Sequence, residues 1–142
     1  MEIRYKRGKE IEKLRQGGRI LALALKTVEE NIRPGISTKE IENIAERVLR
    51  EHNARPSFKN YVPRGSSEPF PAAICTSINE EVVHGIPSPD RVLKEGDIIG
   101  VDMGVEFQQY YTDAAVTLIV GRVTSKIRQL VETTRKALLA GI

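Results

Sequence analysis

The sequence predicts an α/β (α+β) fold in which helices pack on one face of an antiparallel sheet. Apolar residues recur at helical spacing in residues 9–32 and again in residues 37–53. Residues 97–120 instead alternate along two arms, as the strands of a β-hairpin do. The length of 142 residues suits one domain with one core, so the whole chain, residues 1–142, is interpreted as a single domain.

The first helix is predicted over residues 9–32. Gly17 and Gly18 either weaken its middle or allow another backbone to come close, and "RPG" at 33–35 ends it. One apolar stripe predicts the buried face of this helix: Ile11, Leu14, Leu21, Leu25, Val28 and Ile32.

The second and third helices begin at hydroxyl residues. Ser37 or Thr38 is suited to be the N-cap of the second helix, and Glu40 is placed to complete a capping box. The third helix is predicted to begin at about Thr124. The buried stripe of the second helix is predicted to be Ile41, Ile44, Ala45, Val48 and Leu49.

Loops and strands fill the middle of the chain. Residues 53–71 are rich in Pro, Gly, Ser and Asn, which predicts a long surface loop and not a domain boundary. "AAICTSI" at 72–78 predicts a short strand. A turn over 94–97 leads into the first arm of the hairpin, "IIGVDMGVEF", and "YYTDAAVTLIV" forms the second arm.

Each arm of this apolar hairpin carries one acid. Successive strand residues point to opposite faces, so Asp102 shares a face with the glycines on either side of it. Asp113 lies on the second arm. The opposite face of the first arm is predicted to be core: Ile99, Val101, Met103 and Val105.

Both simple registers of the hairpin place Asp102 directly opposite Asp113. One has a two-residue loop at 107–108, and the other has a four-residue loop closed by Val105 and Tyr110. Opposed like charges destabilise a sheet, so a shared proton, a salt bridge or a bridging divalent cation is needed. Oxygen ligands favour Mg²⁺, Mn²⁺, Fe²⁺ or Co²⁺ over a thiolate zinc site. The alternative is that both acids lie at exposed ends of an edge hairpin, and Gln-Gln is a poor type I′ turn.

The chain has two histidines. His84, in "VVHGIP", is either structural or a donor to a substrate carbonyl near a metal, since Gly85 and Pro87 impose a particular loop shape on it. His52, in "REHN", is predicted to be a helix-end cap or a surface residue.

Composition excludes several classes of protein. Charged residues make up 29% of the chain and the net charge is +3, without a basic patch interleaved with aromatic residues, which argues against nucleic-acid binding. Cys75 is the single cysteine, which rules out an intrachain disulfide and fits a reducing cytoplasm. No apolar run reaches the roughly 20 residues of a membrane span, and no signal peptide is recognisable.

Several segments together resemble type I methionine aminopeptidase. They are "IEKLRQGGRI", "RPGISTKEIE", "PSFKNY", "AAICTSINEEVVHGIPSPDRVLKEGDIIGVDMGV" and "YYTDAAVTLIVG", and they cover nearly the whole chain. The resemblance implies the pita-bread fold, two similar halves related by a pseudo-twofold axis. It also implies hydrolysis of the Met–Xaa bond by a metal-bridging hydroxide, which removes the initiator methionine when the second residue is small.

The resemblance also implies site residues and cofactors. Asp102 matches the family's chelating Asp, and Asp113 matches the Asp that bridges two divalent ions, which are Co, Mn, Fe or Zn. His84 matches a catalytic, substrate-contacting histidine. Cys75 and Phe70 are similar to residues lining the methionine pocket, although "VPRGSSEP" is longer than the loop usual there. Nascent polypeptide N-termini near the ribosome are the implied substrate, and the implied location is cytoplasmic.

The sequence departs from the family in its second half. The remaining His and two Glu ligands have no counterpart, and the general base is a Glu that is also absent. A weak repeat relates residues 11–24 to 127–140, so the chain is expected to be the amino-terminal half of the catalytic domain, inactive alone. The alternative is a non-catalytic half-length module that binds a partner or forms a homodimer; lone half-folds otherwise aggregate. A full-length family member is expected to be a monomer.

Overall fold

The computed structural model describes residues 5–65 and 67–142. Residues 1–4 and Ser66, which falls in the predicted surface loop, lie outside the described residues. Three helices and four strands occur in the described ranges: α1 Lys9–Asn31, α2 Thr38–Glu51, β1 Arg55–Pro56, β2 Ile74–Ile78, β3 Ile98–Phe107, β4 Tyr110–Ile119 and α3 Ser125–Gly141.

Strand β3 is the centre of one antiparallel sheet. β1 and β2 pair with one edge of β3, and β4 pairs with the other edge along its whole length. The outer edge of β4 pairs with no strand among the residues that the structure describes. The predicted loop over 53–71 is corrected at one point, because Arg55 and Pro56 pair with Glu106 and Val105 and extend the sheet.

The core lies between one face of this sheet and helices α1 and α2. The four β3 residues predicted to face the core are fully buried, which confirms the alternation read from the sequence. Their partners from the other elements include Ile74 on β2, Leu118 on β4, Val28 on α1 and Ile41 on α2. Helices therefore cover one face of the sheet and leave the other face for the acids.

Glycine and capping patterns position the two helices. Gly17 is buried, and a Cβ added to it would lie 3.5 Å from Phe107 Cβ and from Thr112 Cγ2. The glycine thus marks the close approach of α1 to the hairpin. At α2 the predicted capping box is confirmed: Ser37 accepts from the Glu40 N–H, and the Glu40 carboxylate accepts from Ser37. His52 is exposed and is the C-cap of α2.

Helix α3 begins after the N-cap Thr124, as predicted, and all of its residues are described. None of them is buried, and Leu130, Leu138 and Leu139 are among the exposed large apolar side chains. The two segments of the weak repeat are thus both helical but differ in burial, since α1 buries six residues. None of the described helices is both long and apolar enough to cross a membrane.

Candidate active site

The open face of the sheet brings together residues from three strands. Cys75 on β2 pairs directly with Asp102 on β3, and Asp102 pairs with Ala115 on β4. Asp113 lies opposite Gly104, two positions along β3. Since residues at even spacing share a face, the thiol and both carboxylates lie on the same side of the sheet.

The predicted direct pairing of Asp102 with Asp113 is wrong. The turn is Gln108–Gln109, one residue later than predicted, and both residues have positive φ, 49° and 69°, as a type I′ turn requires. This turn is closed by the cross-strand pair of Phe107 and Tyr110, and aromatic pairs of this kind stabilise a hairpin. The acids are therefore diagonal neighbours, a longer separation that lessens their repulsion without removing it.

Burial and charge both act on Asp102. Partial burial raises the pKa of its carboxyl, and the charge of Asp113 raises the pKa further. Two smaller effects lower the pKa: the charge of His84 and a hydrogen bond from the Met103 backbone. Asp102 is thus close enough to interact electrostatically with both Asp113 and His84.

The raised pKa of Asp102 predicts a pH-dependent stability. The folded chain binds this proton more tightly than the unfolded chain does, so the contribution is present at low pH and is lost as pH rises above the ordinary value of 3.8 through the raised value. Asp102→Asn is expected to gain urea resistance relative to the parent as pH rises from 4 to 7 in chelator-treated buffer. Exposed Asp90→Asn is the control. Parallel curves for the parent and Asp102→Asn would contradict the prediction.

Cys75 is buried beside the acids. Burial is the main cause that raises the pKa of its thiol to about 11, and the charges of Asp102 and Asp113 add to it. The neutral thiol at physiological pH behaves as a small apolar side chain. That Cys75 lines a pocket for a substrate side chain stays a prediction.

His84 lies in the loop that follows β2. It is exposed and has a positive φ of 62°, which is uncommon for a residue with a side chain. The loop is joined to β2 because the Thr76 N–H donates to the Gly85 carbonyl at 2.8 Å. The Gly85 N–H donates in turn to the Ser77 hydroxyl at 3.3 Å.

Phe70 contacts Phe58, which lies over Gly104 on the face of the carboxylates and is not among the predicted site residues. Its ring makes an edge contact with Phe58, with centroids 6.5 Å apart. Phe58 and Ser57 cover Gly104, where an added Cβ would lie 2.7 Å from Phe58 Cε1 and 2.0 Å from Ser57 Oγ. Ser57 and Phe58 therefore occupy the space that the missing side chain of Gly104 leaves beside Asp102. In the sequence, the segment "PSFKNY" is the signal for these contacts. Its Ser57 N–H donates to the Gly104 carbonyl at 3.0 Å.

The two carboxylates fit a hard divalent cation. Neither forms an ion pair with a Lys or Arg side chain within residues 5–65 and 67–142, so both keep oxygen lone pairs for a ligand. Over the same residues no three His, Cys, Asp or Glu side chains come together as a metal-binding group. The described chain thus offers two oxygen ligands and not a complete coordination shell.

Three comparisons with known proteins identify similar sequences and a similar fold. The profile described as "Metallopeptidase family M24" matches residues 12–142. Methionine aminopeptidase of Aquifex aeolicus is 42% identical over 134 residues, 94% of this chain and 52% of that protein. That of Borreliella burgdorferi is 45% identical over 141 residues, 99% of this chain and 53% of that protein. A crystal structure of methionine aminopeptidase from Thermotoga maritima has a TM-score of 0.90 and 40% identity, covering 99% of this chain and 54% of that one.

The extent of these matches matters as much as their similarity. The chain spans about half the length of the curated relatives it matches. Its antiparallel sheet with helices on one face is the predicted first half of the pita-bread fold. Since the family profile extends over nearly the whole sequence, the chain belongs to metallopeptidase family M24.

Proposed function

We propose that this chain, residues 1–142, is the amino-terminal half of a methionine aminopeptidase catalytic domain. The reaction is removal of the N-terminal methionine from nascent polypeptides whose second residue is small. One observation carries the proposal: two carboxylates without cationic partners share the open face of the sheet with Cys75 and lie within electrostatic reach of His84. Relatives that match nearly the whole chain are named methionine aminopeptidase.

The residues of this chain take separate roles in that reaction. Asp102 and Asp113 would both be ligands of the divalent ions. When bound, these ions act as Lewis acids toward water and the scissile carbonyl. His84 holds the substrate near the scissile bond by donating a hydrogen bond, and Cys75 and Phe70 line the pocket for the methionine side chain.

The chain alone is proposed to be inactive. A two-metal site needs more ligands than the two carboxylates that the described residues bring together, and the reaction needs a general base. A second polypeptide segment, or a second copy of the chain, is needed to cover the open face. Hydrolysis of a Met-Ala-Ser peptide by the isolated chain with Co²⁺ or Mn²⁺ is therefore expected to be undetectable. Release that Asp113→Ala abolishes would show instead that these 142 residues suffice.

Metal binding tests the proposal without requiring activity. Titration with Mn²⁺ is expected to broaden the amide signals of Gly104 and Ala115, which lie beside the two carboxylates, before those of α2. Asp102→Asn and Asp113→Asn each remove a charged ligand and are expected to weaken Mn²⁺ binding about tenfold or more, a change of about 1.4 kcal/mol.

Asp90→Asn is the matched control for this titration, because Asp90 is an exposed loop residue. It removes the same charge from a residue that belongs to none of the strands and is expected to leave the broadening unchanged. Equal Mn²⁺ affinity in all three variants would reject the assignment of the two carboxylates as metal ligands.

A further inference from the structure

Most side chains of the loop that carries His84 are exposed, and within residues 81–87 Pro87 is the buried one. Val82, Val83, His84 and Ile86 are all exposed. His84 also adopts a positive φ, a conformation that persists only when the surrounding structure enforces it. The backbone at His84 is therefore held by burial of Pro87 and by the contacts that the loop makes with its neighbours.

Arg91 supplies such contacts from the other side of the loop. Its Nη1 donates to the Ile86 carbonyl at 2.7 Å and to the Thr76 carbonyl of β2 at 3.1 Å. Its Nη2 forms an ion pair with the Glu81 carboxylate. Glu81 in turn accepts from the Ile78 N–H of β2 at 2.7 Å. One guanidinium thus joins β2 to the loop on both sides of His84.

Gly85 provides the space for this arrangement. A Cβ added at Gly85 would lie 2.1 Å from the Thr76 carbonyl oxygen, the atom that Arg91 binds, and 3.1 Å from Glu81 Oε2. The guanidinium and carboxylate therefore lie close to the position that a side chain at residue 85 would occupy. The fork geometry of arginine suits this site, because one planar group reaches two carbonyls and a carboxylate together.

We propose that Arg91, paired with Glu81, is a positioning residue that fixes the His84 loop on β2 and so aims the imidazole at the open face of the sheet. The inference rests on the proposed function, in which His84 contacts the substrate. Arg91 acts through the backbone carbonyls of Thr76 and Ile86. Its side chain is partly buried, with 24% exposed, so water competes only in part for these hydrogen bonds.

Hydrogen exchange in the metal-free chain tests this role. The Thr76 N–H, bonded to the Gly85 carbonyl, reports attachment of the loop to β2. Arg91→Ala is expected to accelerate Thr76 exchange about tenfold or more, because charge-assisted hydrogen bonds are lost. Arg91→Lys keeps the charge but not the fork and is expected to rescue exchange only in part. The strong intraresidue Hα–HN NOE of His84, typical of a positive φ, is expected to weaken in Arg91→Ala.

Two controls separate positioning from general stability. Arg128→Ala removes an exposed arginine of α3 and is expected to leave both readouts unchanged. The amides of Ala24 and Ala45 in the core report global unfolding and are expected to keep their protection in Arg91→Ala. If that variant unfolds, Glu81→Gln and Arg91→Lys carry the same comparison in a folded chain.

Unchanged Thr76 exchange and an unchanged intraresidue NOE of His84 in the folded variants would overturn the proposal. Equal acceleration of Thr76 and of the core amides in those variants would also overturn it, since that pattern reports general loss of stability. None of these readouts requires metal or activity. A failure of the Mn²⁺ titration is therefore distinguishable from a failure of the positioning role.

Discussion

Replacing Gly85 with alanine is expected to destabilise the chain by about 2–3 kcal/mol. The added Cβ would lie 2.1 Å from the Thr76 carbonyl oxygen and 2.8 Å from its carbon, which are backbone atoms of a buried strand and cannot rotate away. Either β2 or the loop must move, and the hydrogen bond between the Thr76 N–H and Gly85 would be strained. The measurement is the urea unfolding midpoint followed by far-UV circular dichroism.

Gly18→Ala is the matched control, because the same substitution is expected to have the opposite sign there. Gly18 lies in the middle of α1, and a Cβ added to it meets no atom within 4 Å. Alanine is favoured over glycine inside a helix by about 0.5–1 kcal/mol, so this variant is expected to be more stable than the parent. If both variants changed stability by the same amount, the steric account of Gly85 would be wrong.

Removing the carboxylate of Glu42 is expected to cost about 1–3 kcal/mol. Glu42 is 1% exposed on α2, accepts from the Ala73 N–H at 2.6 Å and pairs with Lys39 at 2.5 Å. Glu42→Ala leaves the buried Ala73 N–H without its acceptor just before β2 begins, whereas Lys39 can return to water. Glu42→Gln keeps an acceptor and is expected to lose less. Chemical unfolding of both variants measures the difference.

Glu46→Ala is the control for the charge on this helix. Glu46 lies one turn after Glu42 and pairs with Lys59 at 2.6 Å, but both partners are partly exposed. Pairs of this kind contribute about 0–1 kcal/mol, so the loss is expected to be small. A cost at Glu46 as large as that at Glu42 would mean that burial of the Ala73 N–H does not decide the effect.

The sequence determined most of the fold because its local signals agreed with one another. The alternation along β3 and the Ser37–Glu40 capping box both predicted what the structure shows. The register of the hairpin could not be read in the same way. A tight turn at Gln108–Gln109 requires left-handed backbone conformations at two residues that are not glycine. The pairing of Phe107 with Tyr110 that accompanies this turn is known only once the strands are paired.

The candidate site was predictable only in part. Asp102 and Asp113 stood out as acids in an apolar hairpin, and their shared face followed from the strand period. Outside the candidate site, the burial of Glu42 also had a signal in the sequence. Its spacing places it on one buried face of α2 with Thr38, Ala45 and Leu49, at intervals of four, three and four residues. The contacts of Arg91 had no such signal, because they end on backbone carbonyls that any sequence possesses.

The β3–β4 hairpin has a consequence for the order in which the site assembles. Its two strands are joined by two residues, so the entropy lost on closing the loop is small, and hairpins of this kind form in about 1–10 μs. The carboxylates therefore meet early, through contacts local in sequence. Cys75 and His84 join only when β2 docks on β3. The acidic pair is thus local in sequence, whereas its contacts with Cys75 and His84 depend on the long-range pairing of β2 with β3.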